Sequence, residues 1–146
     1  MSGMGAAVVV AALAVTAVAA WWLRTRDGVL RSPGAEEDGV AASVFDRLGV
    51  RPGEADLTVV QFSTAFCAPC RATKARLQQL QATRPGLAVV QVDAESHLDE
   101  VRELDVRRTP TLFYLGRDGE LIGRSSGAPR PDELTALVDA HAGAGT

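Results

Sequence analysis

Hydrophobic and polar positions divide this chain into two unequal parts. From Met4 to Leu23 (MGAAVVVAALAVTAVAAWWL) 20 residues run without a charge, and Thr16 alone interrupts their apolar character. At ~1.5 Å per residue such a helix spans about 30 Å, the thickness of a bilayer core. Arg24 to Asp38 (RTRDGVLRSPGAEED) is polar, contains Gly28, Pro33 and Gly34, and reads as a linker. Beyond it the apolar residues come in short periodic groups. Val40, Val44 and Leu48 recur at i, i+4, i+8 and predict a short helix over Gly39–Val50, broken by Arg51-Pro52-Gly53. Leu57–Phe62 (LTVVQF) and Leu87–Val92 (LAVVQV) are β-branched, apolar runs of strand length. Between them Cys67–Thr83 holds good helix formers, stopped by Pro85-Gly86. Leu98, Val101 and Leu104 give Ser96–Leu104 a helical face. Thr111–Leu115 and Glu120–Gly123 flank Arg117-Asp118-Gly119, where the Asp-Gly pair signals a hairpin. Pro131–His141 closes the chain as a helix with Leu134, Leu137 and Val138 on its core face. The order β-α-β-α-β-β-α predicts an α/β fold: a mixed sheet, parallel across the crossover and antiparallel at the hairpin, with helices on its faces.

The 146-residue chain thus has room for one compact core of roughly 100 residues plus an N-terminal appendage. Charge is mixed and slightly acidic, with a formal net of -3 and no basic block. Neither nucleic acid nor an anionic membrane surface is expected as a partner. The alanine-rich, lysine-poor composition suggests a GC-rich bacterial source.

Three readings compete for Met4–Leu23. A buried core helix would carry a polar stripe. A cleaved signal peptide would carry a positive n-region before a shorter apolar stretch, and Ala17-Val18-Ala19 only imitates its cleavage site. A membrane anchor explains most: Trp21-Trp22 would sit at headgroup level, and Arg24, Arg26 and Arg31 follow at once. Since positive flanks stay in the cytoplasm, this reading puts the N-terminus outside and the C-terminal domain inside.

Both cysteines of the chain lie in STAFCAPCRATKARLQQL. Cys67 and Cys70 are a metal half-site, a structural staple or a redox pair. Two cysteines exclude a four-cysteine zinc site within one chain, and His97 and His141 lack zinc-finger spacing, so no metal is expected. A staple closing so small a loop would stabilise little. The redox reading has more behind it. Cys67 falls where a strand gives way to a helix, and the unpaired N–H groups and positive dipole end of a helix N-terminus favour a thiolate. Arg71 and Lys74 add positive charge nearby. Pro69 fits the first turn, which needs no donor there. Cys67 is then the exposed nucleophile and Cys70 the more buried resolving thiol. No Gly-rich phosphate loop occurs, so no nucleotide cofactor is implied.

FCAPCR after an apolar strand, with RRTPTLFYL roughly forty residues later, resembles the thioredoxin family over about Leu57 to His141. The resemblance implies a thioredoxin-like fold with Thr109-Pro110 as the cis-proline site beside the cysteines. There the backbone of the residue before the proline pairs with the bound substrate chain. Phe66, Ala68 and Pro69 would complete the substrate rim, and Gly127-Ala128 resembles the loop that closes the groove. This chain departs from the family in three places. Phe66 stands where the family usually has Trp, and Ala68-Pro69 replaces the commonest Gly-Pro. Gln61 occupies the position, six residues before the nucleophile, of a buried Asp able to take a proton from the resolving thiol. His97, Asp93 and Glu95 read as solvated or helix-start residues, and Phe113 and Tyr114 as strand packing.

The expectation is a membrane-tethered thiol–disulfide oxidoreductase: 1–23 the anchor, 24–56 linker and short helix, 57–146 the thioredoxin-like domain. Its partners would be protein disulfides and an upstream thiol reductant; it would be a monomer with no bound cofactor. Two rivals remain. One is an extracytoplasmic thiol reductase of the cytochrome-maturation type; the other is a non-catalytic thioredoxin-fold module that binds or senses redox state.

Overall fold

The structure, a computed structural model, describes residues 3–143; positions 1, 2 and 144–146, the outermost parts of the expected anchor and domain, lie outside the described residues. Helix α1 (Gly3–Arg26) stands clear of the rest with its apolar side chains exposed all round. Among the described residues it is the one helix long and apolar enough to cross a membrane, a test that a signal sequence also passes. At its end the Arg26 guanidinium lies 3.5 Å from the centre of the Trp22 ring.

Next come β1 (Leu30–Arg31), α2 (Ala35–Arg47), a single 3-10 turn (Pro52–Glu54) and β2 (Leu57–Ser63). They are followed by α3 (Ala68–Thr83), β3 (Leu87–Asp93), α4 (Leu98–Glu103), β4 (Thr111–Gly116), β5 (Leu121–Ser126) and α5 (Pro131–Ala142). The five strands form one sheet in the order β1-β5-β4-β2-β3. β2 pairs parallel with β3, Leu57 opposite Leu87, and antiparallel with β4, Phe62 opposite Thr111. This interior strand is covered on both faces, which is why LTVVQF reads as a nearly continuous apolar run. Alternation sends Val60 and Phe62 towards α2 and α4, where they join Ala41, Val44, Phe45, Leu104 and Phe113. Leu57 and Val59 face α3 and α5 with Leu77, Leu80, Leu112, Leu134 and Val138. This is the thioredoxin-like α/β fold, a mixed sheet with helices on both faces.

The stretch read as a linker is structured. β1 pairs antiparallel with β5, Leu30 opposite Ser125, and α2 begins at Ala35, four residues before the expected Gly39. The polar residues there have partners far along the chain. Asp27 pairs with Arg108, Glu37 with Arg124 at 2.9 Å, and Asp38 accepts the Leu121 N–H at 2.9 Å. Glu36, Glu37 and Asp38 also complement the dipole of the first turn of α2.

Tyr114, the one tyrosine of the chain, is buried on β4 with its hydroxyl 3.0 Å from Ser125 Oγ. Burial pushes its phenol up to about 12, with the Ser125 hydrogen bond opposing. The folded value lies above the ordinary value near 10, so folding favours the neutral phenol. That contribution is complete below pH ~10 and is lost as pH rises towards ~12. We expect the denaturation midpoint to fall over this window and Tyr114→Phe to flatten the fall. A wild type and variant with the same alkaline slope would refute the assignment.

Candidate active site

β2 ends at Ser63, and the connection Thr64-Ala65-Phe66 delivers Cys67 to the N-cap of α3. Cys67 and Cys70 are joined, with an S–S distance of 2.01 Å and Cα atoms 5.2 Å apart. The Cys70 N–H donates to Cys67 Sγ at 3.2 Å, so an orphan donor of the first turn is aimed at that sulfur. Cys67 is 8% exposed and Cys70 3%. Cys67 is therefore less open than an exposed nucleophile, because the closed bond tucks its sulfur against the helix turn. Phe66, by contrast, is 99% exposed, and Ala68 and Pro69 are exposed on the same rim.

The connection before β4 reaches the same end of the sheet. The Thr109–Pro110 peptide is cis, Pro110 is buried, and Thr109 Oγ1 lies 3.5 Å from Thr64 Oγ1. Thr111 Oγ1 donates to the Arg108 carbonyl at 2.7 Å and ties down this bend. Gly127 follows β5, and its N–H donates to the Pro110 carbonyl at 2.8 Å. Its φ of +93° is a conformation that suits glycine.

Gln61, fully buried, lies behind the pair on the α3 side of β2. Its Nε2 donates to the Cys70 carbonyl at 3.0 Å, and its Oε1 accepts from Gln91 Nε2 at 3.3 Å. The amide is thus satisfied on both ends, where a carboxylate would have no donor role towards Cys70. Asp93 ends β3 and is exposed, and His97 is the half-buried N-cap of α4. His97 Nδ1 is 3.0 Å from the Asp93 carbonyl, and the Ser96 hydroxyl, then the Glu95 N–H, hold the Asp93 carboxyl below its usual range. Among the described residues no group of His, Cys, Asp and Glu is arranged to hold a metal ion.

The family model described as Thioredoxin matches residues 42–140. The chain belongs to the thioredoxin family. Thioredoxin H4-1 of Oryza sativa subsp. japonica is 30% identical over 86 residues, 57% of this chain and 65% of that protein. Mitochondrial thioredoxin-3 of Saccharomyces cerevisiae is 36% identical over 73 residues, 50% of this chain and 57% of that protein. The chain therefore spans less than two thirds of the length of these curated relatives. The crystal structure of oxidised mitochondrial thioredoxin 3 from Saccharomyces cerevisiae superimposes with a TM-score of 0.55 at 28% identity, covering 67% of this chain and 88% of that one. The family match begins at residue 42, inside α2, and leaves α1 and β1 outside it.

Site features that a reading of local composition passes over are those made by distant partners. Gly28, Asp27 and Arg108 border the Gly127 loop, and the apolar pair Val29-Leu30 within a polar stretch is the signal that a strand begins there.

Proposed function

We propose that this chain is a membrane-tethered thiol–disulfide oxidoreductase working through Cys67 and Cys70. The observation that carries this is the closed pair at the N-cap of α3, with the Cys70 N–H directed at Cys67 Sγ. In the reduced state the same N–H and the helix dipole favour a Cys67 thiolate. It attacks one sulfur of a substrate disulfide, forms a mixed disulfide and releases the other sulfur as a thiolate. Cys70 then gives up its proton and attacks Cys67 Sγ, closing the intramolecular disulfide and freeing the second substrate sulfur. Two electrons pass to the substrate, and an upstream thiol reductant restores the pair. Phe66, Ala68, Pro69, Thr109 and Pro110 form the substrate rim. With Gln61 behind the pair, the Cys70 proton leaves to solvent water.

The tether reading is supported by the uncharged run of α1, by Trp21-Trp22 at its end and by Arg24, Arg26 and Arg31 beyond. The same arginines favour a cytoplasmic domain, and the alanine-rich composition favours a bacterial source. We begin the catalytic unit at β1, not at Leu57, because Ala41, Val44 and Phe45 of α2 belong to its core. A reporter enzyme active only outside the cytoplasm, fused after the last residue, tests the side. A stable, inactive fusion is expected; an active one would move the domain outside and favour the extracytoplasmic reductase.

A further inference from the structure

α1 passes into the domain with almost no slack. The helix ends at Arg26, Asp27 pairs with Arg108, and the Gly28 N–H donates to the Ser126 carbonyl at 2.8 Å. Leu30 is then already in register opposite Ser125. β5 is antiparallel to β4 and β4 to β2, so β5 and β2 run the same way. Ser126, the last residue of β5, therefore lies at the end of the sheet where β2 leads to Cys67. The tether enters at the cysteine end of the domain. Gly127 packs against it: a Cβ added there would sit 3.3 Å from Gly28 N and 3.5 Å from Asp27 Cβ. The Gly127 N–H bonds Pro110, and Thr109 meets Thr64, three residues before Cys67.

The heights follow from the helix rise. The apolar run stops at Leu23, and Arg24 to Arg26 add about 4.5 Å, close to the ~5–7 Å depth of one headgroup layer. Asp27 then stands at the outer edge of the headgroups. From that point Gly127 alone leads to the Pro110 rim: it packs against Asp27 and Gly28, and its N–H donates to the Pro110 carbonyl at 2.8 Å. We propose that the tether holds the Cys67–Cys70 groove at the bilayer surface, and that its partner is an integral membrane protein presenting a cysteine pair close to that surface. This rests on the membrane-tethered oxidoreductase reading. A partner rooted in the same bilayer arrives at a fixed height, and the shared surface raises its effective concentration. The exchange is balanced within the pair: the partner's disulfide gains two electrons and two protons as Cys67–Cys70 closes.

The test uses the full chain in phosphatidylcholine vesicles. The probe is a synthetic peptide disulfide on an apolar membrane-spanning segment, set about four or about 25 residues from the bilayer, or the same peptide without the segment. A variant carries about 18 helix-forming residues between Arg26 and Asp27, which is about five turns and lifts the domain ~27 Å without rotating it. Wild type is expected to reduce the short-spacer probe about tenfold faster than the lifted variant. The two should act alike on the free peptide, and the long spacer should close the gap. Equal rates of wild type and lifted variant on the short-spacer probe, with both proteins floating with the vesicles, would overturn the surface placement alone. A wild type preferring the free peptide would overturn it equally. A chain that does not float removes the tether reading and this proposal together; a floating chain inert on the free peptide removes the oxidoreductase reading.

Discussion

Cys67→Ser is expected to lower disulfide turnover by at least about a thousandfold, ~4 kcal/mol of transition-state stabilisation. A serine hydroxyl is not ionised near neutral pH and forms no mixed disulfide, so the first step of exchange is lost. Cys70→Ser should behave differently. Its first attack proceeds, because the Cys70 backbone N–H that faces Cys67 Sγ does not depend on the side chain. The second attack does not, so the protein should accumulate as a mixed disulfide with a peptide disulfide substrate. Non-reducing electrophoresis and mass spectrometry read both outcomes. If Cys67→Ser kept wild-type turnover, or if the trap formed on Cys70 in a Cys67→Ser background and not on Cys67, the assignment of roles would be wrong. If neither variant changed anything, the fold would be serving as a binding module.

Phe113→Ala is expected to cost about 3–5 kcal/mol of folding stability, a large part of the ~5–15 kcal/mol typical of a domain. Phe113 is fully buried at the middle of β4, with ring centroids 5.3 Å from Phe45 and 5.8 Å from Phe62, both edge-on. It joins α2 to β2. The Arg124 guanidinium also lies 4.8 Å from its ring centre while bonded to Glu37 and to the Leu104 carbonyl. Truncation opens a cavity that three separate elements border, and a sheet interior closes little around such a gap. Denaturant unfolding of the full chain in detergent, followed by far-UV circular dichroism, measures the change. Trp21 and Trp22 are unsuitable probes, since both lie in α1 outside the core. A loss under about 1 kcal/mol would show that the α2 face of the sheet is not a packed core.

Much of this architecture is legible in residue order because its cause is local. LTVVQF reads as a strand since a centrally paired strand needs apolar residues on both faces. Asp118-Gly119 marks the β4–β5 turn because its conformation, with Gly119 at φ +81°, is set within a few residues. FCAPCR declares a strand-to-helix cysteine pair for the same reason. The juxtamembrane stretch is different. Asp27, Glu37 and Asp38 look solvated in composition, yet each is bound to a group more than eighty positions away. β1 is two residues long and exists through its pairing with β5, so no periodicity can announce it. The meeting of Gly28 with the Gly127 loop is likewise a product of topology alone.

Gln61 has an electrochemical consequence. A dithiol–disulfide couple takes up two protons with its two electrons, and the slope of its midpoint voltage against pH counts them. An acid buried beside Cys70 would titrate together with the sulfurs and bend that slope wherever its own affinity for protons changed with oxidation state. The amide at this position carries no such proton, and its two hydrogen bonds hold it in place as a neutral wall. On that side of the site, the voltage of this protein is set by sulfur titration without a third participant.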